Sequence, residues 1–135
     1  AATDSQKLID LFSDDCYIDQ ASVMRAIDAC GMFNIISNAL ILKADFIVKK
    51  NDEFRRLEFS RRRPVTLDDC TIFLVSPEDL IISKLLWGKD SDSELQLRDI
   101  RNLLDSAAGL DSEYLHFWAE KLGAGDYLKK AMRHE

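Results

Sequence analysis

With 135 residues, 47% of them hydrophobic and 31% charged, the chain has the size and composition of one ordinary globular domain, long enough to bury a core. A net charge of −6 argues against broad non-specific attraction to nucleic acid, and no apolar run approaches the roughly 20 residues that cross a bilayer. The start, AATDSQ, lacks the basic and apolar regions of a secretory signal, and Cys16, Cys30 and Cys70 stand far apart in apolar segments, so reduced core thiols in a cytoplasmic protein are the expectation.

Thr3 with Gln6 fits a capping box, and Leu8, Leu11 and Phe12 recur at helical spacing, which predicts a first helix from Thr3 to Phe12. Cys16-Tyr17-Ile18 reads as a brief strand. Asp19 caps a second helix whose stripe is Val23, Ala26, Ile27 and Cys30, with Gly31 expected in the left-handed stop position. From Met32 the period falls toward 2. Met32 to Ile36 and Lys43 to Val48, separated by the turn former Ser37-Asn38, predict an antiparallel hairpin. In its second strand Ala44, Phe46 and Val48 share one face and Lys43, Asp45 and Ile47 the other. A carboxylate buried alone is costly, so Asp45 should reach water, a metal ion or a cation.

Residues 52–63 read as a charged helix anchored by Phe54, Leu57 and Phe59 and closed by Pro64, and Thr71 to Val75 as an interior strand. Ser76-Pro77-Glu78-Asp79 is the clearest helix start: serine caps, proline takes the first helical position, and the acids face the positive end of the dipole. Leu80, Ile81, Leu85 and Trp87 belong to that helix. Ser91 with Glu94 caps the next, which carries Leu97, Ile100, Leu103 and Leu104. Asp111 caps a third that stops near Gly123, and a last short helix holds Tyr127, Leu128, Ala131 and Met132. The expected architecture is α+β in a single domain, residues 1–75 forming a small mixed or antiparallel sheet with flanking helices and residues 76–135 a C-terminal helical layer.

Common catalytic motifs are missing. His116 and His134 lie far from each other and from the cysteines, and there is no Gly-x-Gly-x-x-Gly, phosphate loop or Gly-x-Ser-x-Gly elbow. His116, beside Phe117 and Trp118, reads as a packed or surface residue. Arg55, Arg56, Arg61, Arg62 and Arg63 make one basic island, which can bind phosphate through arginine's planar fork or can be a solvated helix face paired with Glu53 and Glu58. Lys84, one turn after Leu80 and Ile81, needs a partner on its partly buried stripe, and Asp99, next to Arg98 on the following helix, is the expected one. That pairing is either a helix-to-helix salt bridge or the rim of a phosphate site formed by Lys84 and Arg98.

The succession MFNIISNALILKADFIV, FRRLEFSRRRPVTL, VSPEDLIISKLLW, LQLRDIRNLL and LDSEYLHFWAEKLGAGDYL resembles a family of bacterial nucleotidyltransferase-like proteins related to nucleotidyltransferase toxins of the abortive-infection type. Its strongest part is Ser76 to Leu104. The resemblance implies Mg2+ or Mn2+ held by three strand-borne carboxylates, two in an Asp-x-Asp pair after a Gly-Ser loop and one on a neighbouring strand, with a nucleoside triphosphate as substrate. It gives Asp45 the place of the third carboxylate. Lys84, Arg98, Asp99, Arg61 and Arg62 take the substrate side. The chain opens after the point where the family carries its first two carboxylates, and Asp4 and Asp10, six apart on a helix, do not replace them. The expectation is therefore an N-terminally truncated scaffold, inactive by itself.

A competing reading is an interaction or antitoxin-like module that keeps the scaffold without the chemistry and joins a protein partner or a second copy through an exposed sheet edge, with no membrane involved. A helical nucleic-acid binder using the arginine island fits least, given the acidic total.

Overall fold

The computed structural model describes residues 2–133, with side chains from Asp4 onward. The Thr3 side chain and the placement of His134 lie outside the described residues; the first helix already begins at Ala2, so the Thr3 backbone lies inside it and not at its cap. The chain is mixed α and β, with seven helices and two small antiparallel sheets among the described residues. It divides into two compact units at the Asp52–Glu53 junction. The helix and strand segment after Asp52, grouped with residues 1–75 by sequence, thus belongs with the C-terminal helices.

The first unit contains α1 (Ala2–Phe12), β1 (Cys16–Ile18), α2 (Gln20–Ala29), β2 (Met32–Ser37) and β3 (Leu42–Ile47). The strands lie in the order β1-β2-β3, each neighbour antiparallel, with Cys16 opposite Ser37 and Phe33 opposite Phe46. Phe33 and Ile35, alternate residues of β2, meet Ile9 of α1 and Val23 and Ala26 of α2 in a buried core, so one face of the sheet is apolar and carries the helices. Phe33 and Phe46 stack at 5.2 Å, and Phe12 meets Phe46 edge-on at 6.0 Å. Asp19 caps α2 by accepting from the Ala21 N–H at 3.0 Å. The helix stops one residue earlier than expected: Cys30, not Gly31, takes the left-handed conformation, at φ 48°. Its N–H reaches the Ala26 and Ile27 carbonyls, so the hydrogen-bonded stop outweighs the Cβ strain.

The second unit contains α3 (Glu53–Ser60), β4 (Arg63–Leu67), β5 (Cys70–Leu74), α4 (Pro77–Gly88), α5 (Glu94–Ser106), α6 (Ser112–Lys121) and α7 (Gly125–Met132). Sequence reasoning runs the charged helix to residue 63 and misses β4. The helix ends at Ser60, and Pro64 sits inside a strand opposite Phe73. Proline is tolerated there because both strands of a two-stranded ribbon have an open edge. β5 is not an interior strand, since Phe73 is 57% and Leu74 47% exposed. All three cysteines are free thiols, but only Cys16, half-buried, packs against a core; Cys30 is half-buried and Cys70 exposed.

Helix α4 is the centre of this unit and packs against α5, α6 and α7. Ile81, Ile82 and Leu85 are fully buried, each contributing about 1.5–3 kcal/mol by leaving water. Phe54, Leu97, Ile100, Leu115, Trp118 and Leu128 close round them. Ser76 caps α4 as expected, whereas α5 is capped by Ser93, accepting from the Gln96 N–H at 3.5 Å, and not by Ser91.

Candidate functional site

Asp45 stands in the middle of β3, opposite Asn34 of β2. Alternation turns it to the face shared with Lys43 and Ile47, away from Phe46 and the core, as the sequence requires. Its side chain is 48% exposed and meets Lys43 Nζ at 3.2 Å. The expectation that this carboxylate finds water and a cation is therefore met by its own neighbour two residues away. Among the described residues no group of three or more His, Cys, Asp or Glu side chains could hold a metal ion. A divalent ion of the magnesium class seeks six oxygen ligands in near-octahedral array, which Asp45 beside a lysine does not supply.

The other sequence-predicted residues lie in the second unit. Lys84 and Asp99 do meet, Nζ to Oδ2 at 2.8 Å, with the lysine 17% and the aspartate 34% exposed. The hydrogen bond from Lys84 holds the Asp99 carboxyl below its ordinary value, helped by the charges of Lys84 and Arg98. Arg98 is exposed on α5. The arginine island is split by the fold into separate roles. Arg55 donates to Glu58 at 2.8 Å and to Ser83 at 2.6 Å, and Ser83 donates to Glu58 at 2.7 Å, tying α3 to α4. Arg62 donates to the Phe59 carbonyl, with its guanidinium 3.2 Å from the Phe59 ring centroid and 5.3 Å from that of Phe73. Arg63 is exposed at the start of β4.

Arg61 reaches a cluster that sequence reasoning does not find. Asp79, fully buried, accepts from Arg61 Nε at 3.0 Å, from the Tyr114 hydroxyl at 2.5 Å and from the Ser76 hydroxyl at 2.8 Å. The Arg61 guanidinium lies 4.3 Å from the Tyr114 ring centroid. Burial first, then the hydrogen bond and charge of Asp79, push the Tyr114 hydroxyl well above its ordinary value, so it stays a donor. Burial would lower Arg61, but its hydrogen bond to Asp79 and the Asp79 charge outweigh that and raise it. Glu78, 6% exposed, accepts from the Asp111 N–H at 3.3 Å, tying the starts of α4 and α6 together. Burial pushes Glu78 up, yet the backbone N–H groups of Glu78 and Asp111, the Ser76 hydroxyl and Arg61 together hold it below its ordinary value.

The sequence signal for this cluster is the acid pair of Ser-Pro-Glu-Asp, which reads as a dipole-facing N-terminus. Nothing local tells that α3 and α6 cover it. Chemically, Asp79 is occupied on both oxygens and acts as a structural acceptor. Lys84 and Asp99 neutralise each other, whereas Arg62 and Arg63 retain donors toward solvent.

No family model, curated protein or solved structure matches this chain.

Proposed function

We propose that the chain is a nucleotidyltransferase-like domain that is catalytically incomplete by itself, with Asp45 as a carboxylate of a divalent-metal site completed by carboxylates from a strand beside β3. The observation carrying this reading is that Asp45 projects from the exposed face of an edge strand, half open to solvent, where a second strand and a metal have access. The residues that the resemblance gives to the nucleotide, Lys84, Arg98, Asp99, Arg61 and Arg62, all lie in the second unit and are assigned as a phosphate-contacting surface of that unit by itself. Within that group Arg62 and the exposed Arg98 are the cations open to a phosphate, whereas Lys84 is paired with Asp99 and Arg61 with Asp79, so contact through those two requires the phosphate to displace a carboxylate. Mg2+ or Mn2+ would stabilise charge on the phosphate of the nucleotidyl group being transferred once such a site were complete.

The test is calorimetric titration of Mg2+ or Mn2+ with a nucleoside triphosphate into the full-length protein that carries this chain. Binding that Asp45→Asn abolishes is the expected result. No binding, or binding indifferent to Asp45→Asn, sinks the catalytic reading.

A second reading, a non-enzymatic interaction module in the manner of an antitoxin, is favoured by one observation. The edge strand β3 exposes Leu42 at 58% and Ile47 at 60% beside its unpaired backbone, a surface suited to strand addition. A strictly monomeric particle with no bound protein, measured by light scattering, would count against it.

A further inference from the structure

We infer that β3 pairs with β3 of a second copy of this chain, antiparallel about a two-fold axis that passes beside Ala44. The inference rests on the interaction reading above and not on catalysis.

β3 is one of two sheet edges in the first unit; the other, β1, is three residues long and offers little ladder. The pleat then restricts the register. The Val48 N–H donates to the Gly31 carbonyl at 2.9 Å, which fixes Leu42, Ala44 and Phe46 as the residues whose backbone groups face β2. Lys43, Asp45 and Ile47 therefore turn their N–H and C=O groups outward. A β3–β3 ladder must place these odd-numbered residues opposite one another.

Three central registers satisfy that rule, and charge separates them. One sets Lys43 opposite Lys43, another sets Asp45 opposite Asp45, and both place like charges face to face, which is destabilising. The third places Ala44 opposite Ala44 on the axis, so that Lys43 of each copy faces Asp45 of the other, twice. A lysine on an edge strand usually guards against pairing. Here its charge finds a carboxylate on the second copy and selects the register. The same register sets Leu42, 58% exposed, opposite Phe46 on the core side, extending the stack of Phe33 on Phe46. On the other face Ile47, 60% exposed, comes level with Ile41, 91% exposed at the hairpin turn. Apolar surface thus meets apolar surface on both faces, and the strands run β1-β2-β3-β3-β2-β1 in one continuous sheet.

Light scattering of the full chain should give twice the 15.4 kDa chain mass, falling to monomer on dilution. Lys43→Asp or Asp45→Lys alone puts like charges opposite at two symmetry-related places and should weaken the dimer about tenfold. The double exchange K43D/D45K should restore it. Ala44→Cys should form an intermolecular disulfide on mild oxidation, because a non-hydrogen-bonded antiparallel pair brings its Cα atoms to about 4.5 Å, within disulfide range. Circular dichroism of each variant checks folding. A monomer at every concentration overturns the inference. So does a dimer that neither charge exchange nor Ala44→Cys touches, for it would use another surface such as the β4–β5 ribbon. A monomer that binds metal and nucleotide through Asp45 removes this inference and leaves the nucleotidyltransferase reading standing.

Discussion

Asp79→Ala removes a fully buried carboxylate that serves three side-chain donors, the Tyr114 hydroxyl at 2.5 Å, the Ser76 hydroxyl at 2.8 Å and Arg61 Nε at 3.0 Å. The substitution leaves the tyrosine hydroxyl and the guanidinium without their acceptor. A hydrogen bond to a charged group contributes about 1.5–3 kcal/mol, and removing one member of a buried ion pair costs about 3–5 kcal/mol. These do not simply add. Arg61 is 34% exposed and recovers water, so the ionic share is discounted, and Ser76 keeps its bond from the backbone N–H of residue 79 at 3.2 Å. The expected loss is about 3 kcal/mol for Asp79→Ala and about 1–2 kcal/mol for Tyr114→Phe, which strips one donor from a buried oxygen. Urea unfolding at neutral pH measures both. Trp87 and Trp118, the chain's two tryptophans, both lie in the second unit, so their fluorescence reports that unit. Because Tyr114 acts through Asp79, the double variant should lose little more than Asp79→Ala, a coupling of about 1–2 kcal/mol. A loss below about 1 kcal/mol for Asp79→Ala, or simple additivity in the double variant, would refute the account of this cluster.

Three further outcomes follow from the same geometry. Glu78 and Asp99 titrate below their ordinary values of 4.5 and 3.8, so their stabilisation is complete above those values and is lost as pH falls through the lower, folded ones; acid titration of tryptophan fluorescence should show a plateau above about pH 5 and a decline beneath it, with Lys84→Met removing the Asp99 share. Gly88→Ala would set a Cβ 2.5 Å from the Tyr127 hydroxyl, which donates to the Ser93 carbonyl at 2.8 Å. Overpacking should cost about 1–3 kcal/mol, beyond the roughly 1 kcal/mol that alanine gains in a helix, and an unchanged urea midpoint would contradict the packing. Cys70, exposed at the end of β5's turn, should react with a thiol reagent ahead of the half-buried Cys16 and Cys30, a sequence readable by mass spectrometry of the labelled peptides.

What the amino-acid sequence determined by itself was local. The caps at Asp19, Ser76 and Asp111 involve a side chain and a backbone N–H two or three residues away, so they are written in short runs of residues. The outward direction of Asp45 follows from strand alternation alone, and the Lys84–Asp99 pair from two helical stripes that must face each other. Other features depend on residues far apart in the chain. The strand β4 exists because Arg63 to Leu67 finds β5 across the Asp68–Asp69 turn; read locally, Arg63 ends a helix, Pro64 stops it, and nothing marks Val65 to Leu67 as a strand. Asp79 becomes a buried acceptor only because Arg61 and Tyr114, 18 and 35 residues distant, are brought to it by the packing of α3 and α6 on α4. Burial is a property of the assembled unit, and no period or cap encodes it. For the same reason the open edge at Asp45, where the candidate chemistry and the inferred pairing both reside, was decided by the order of strands in the sheet.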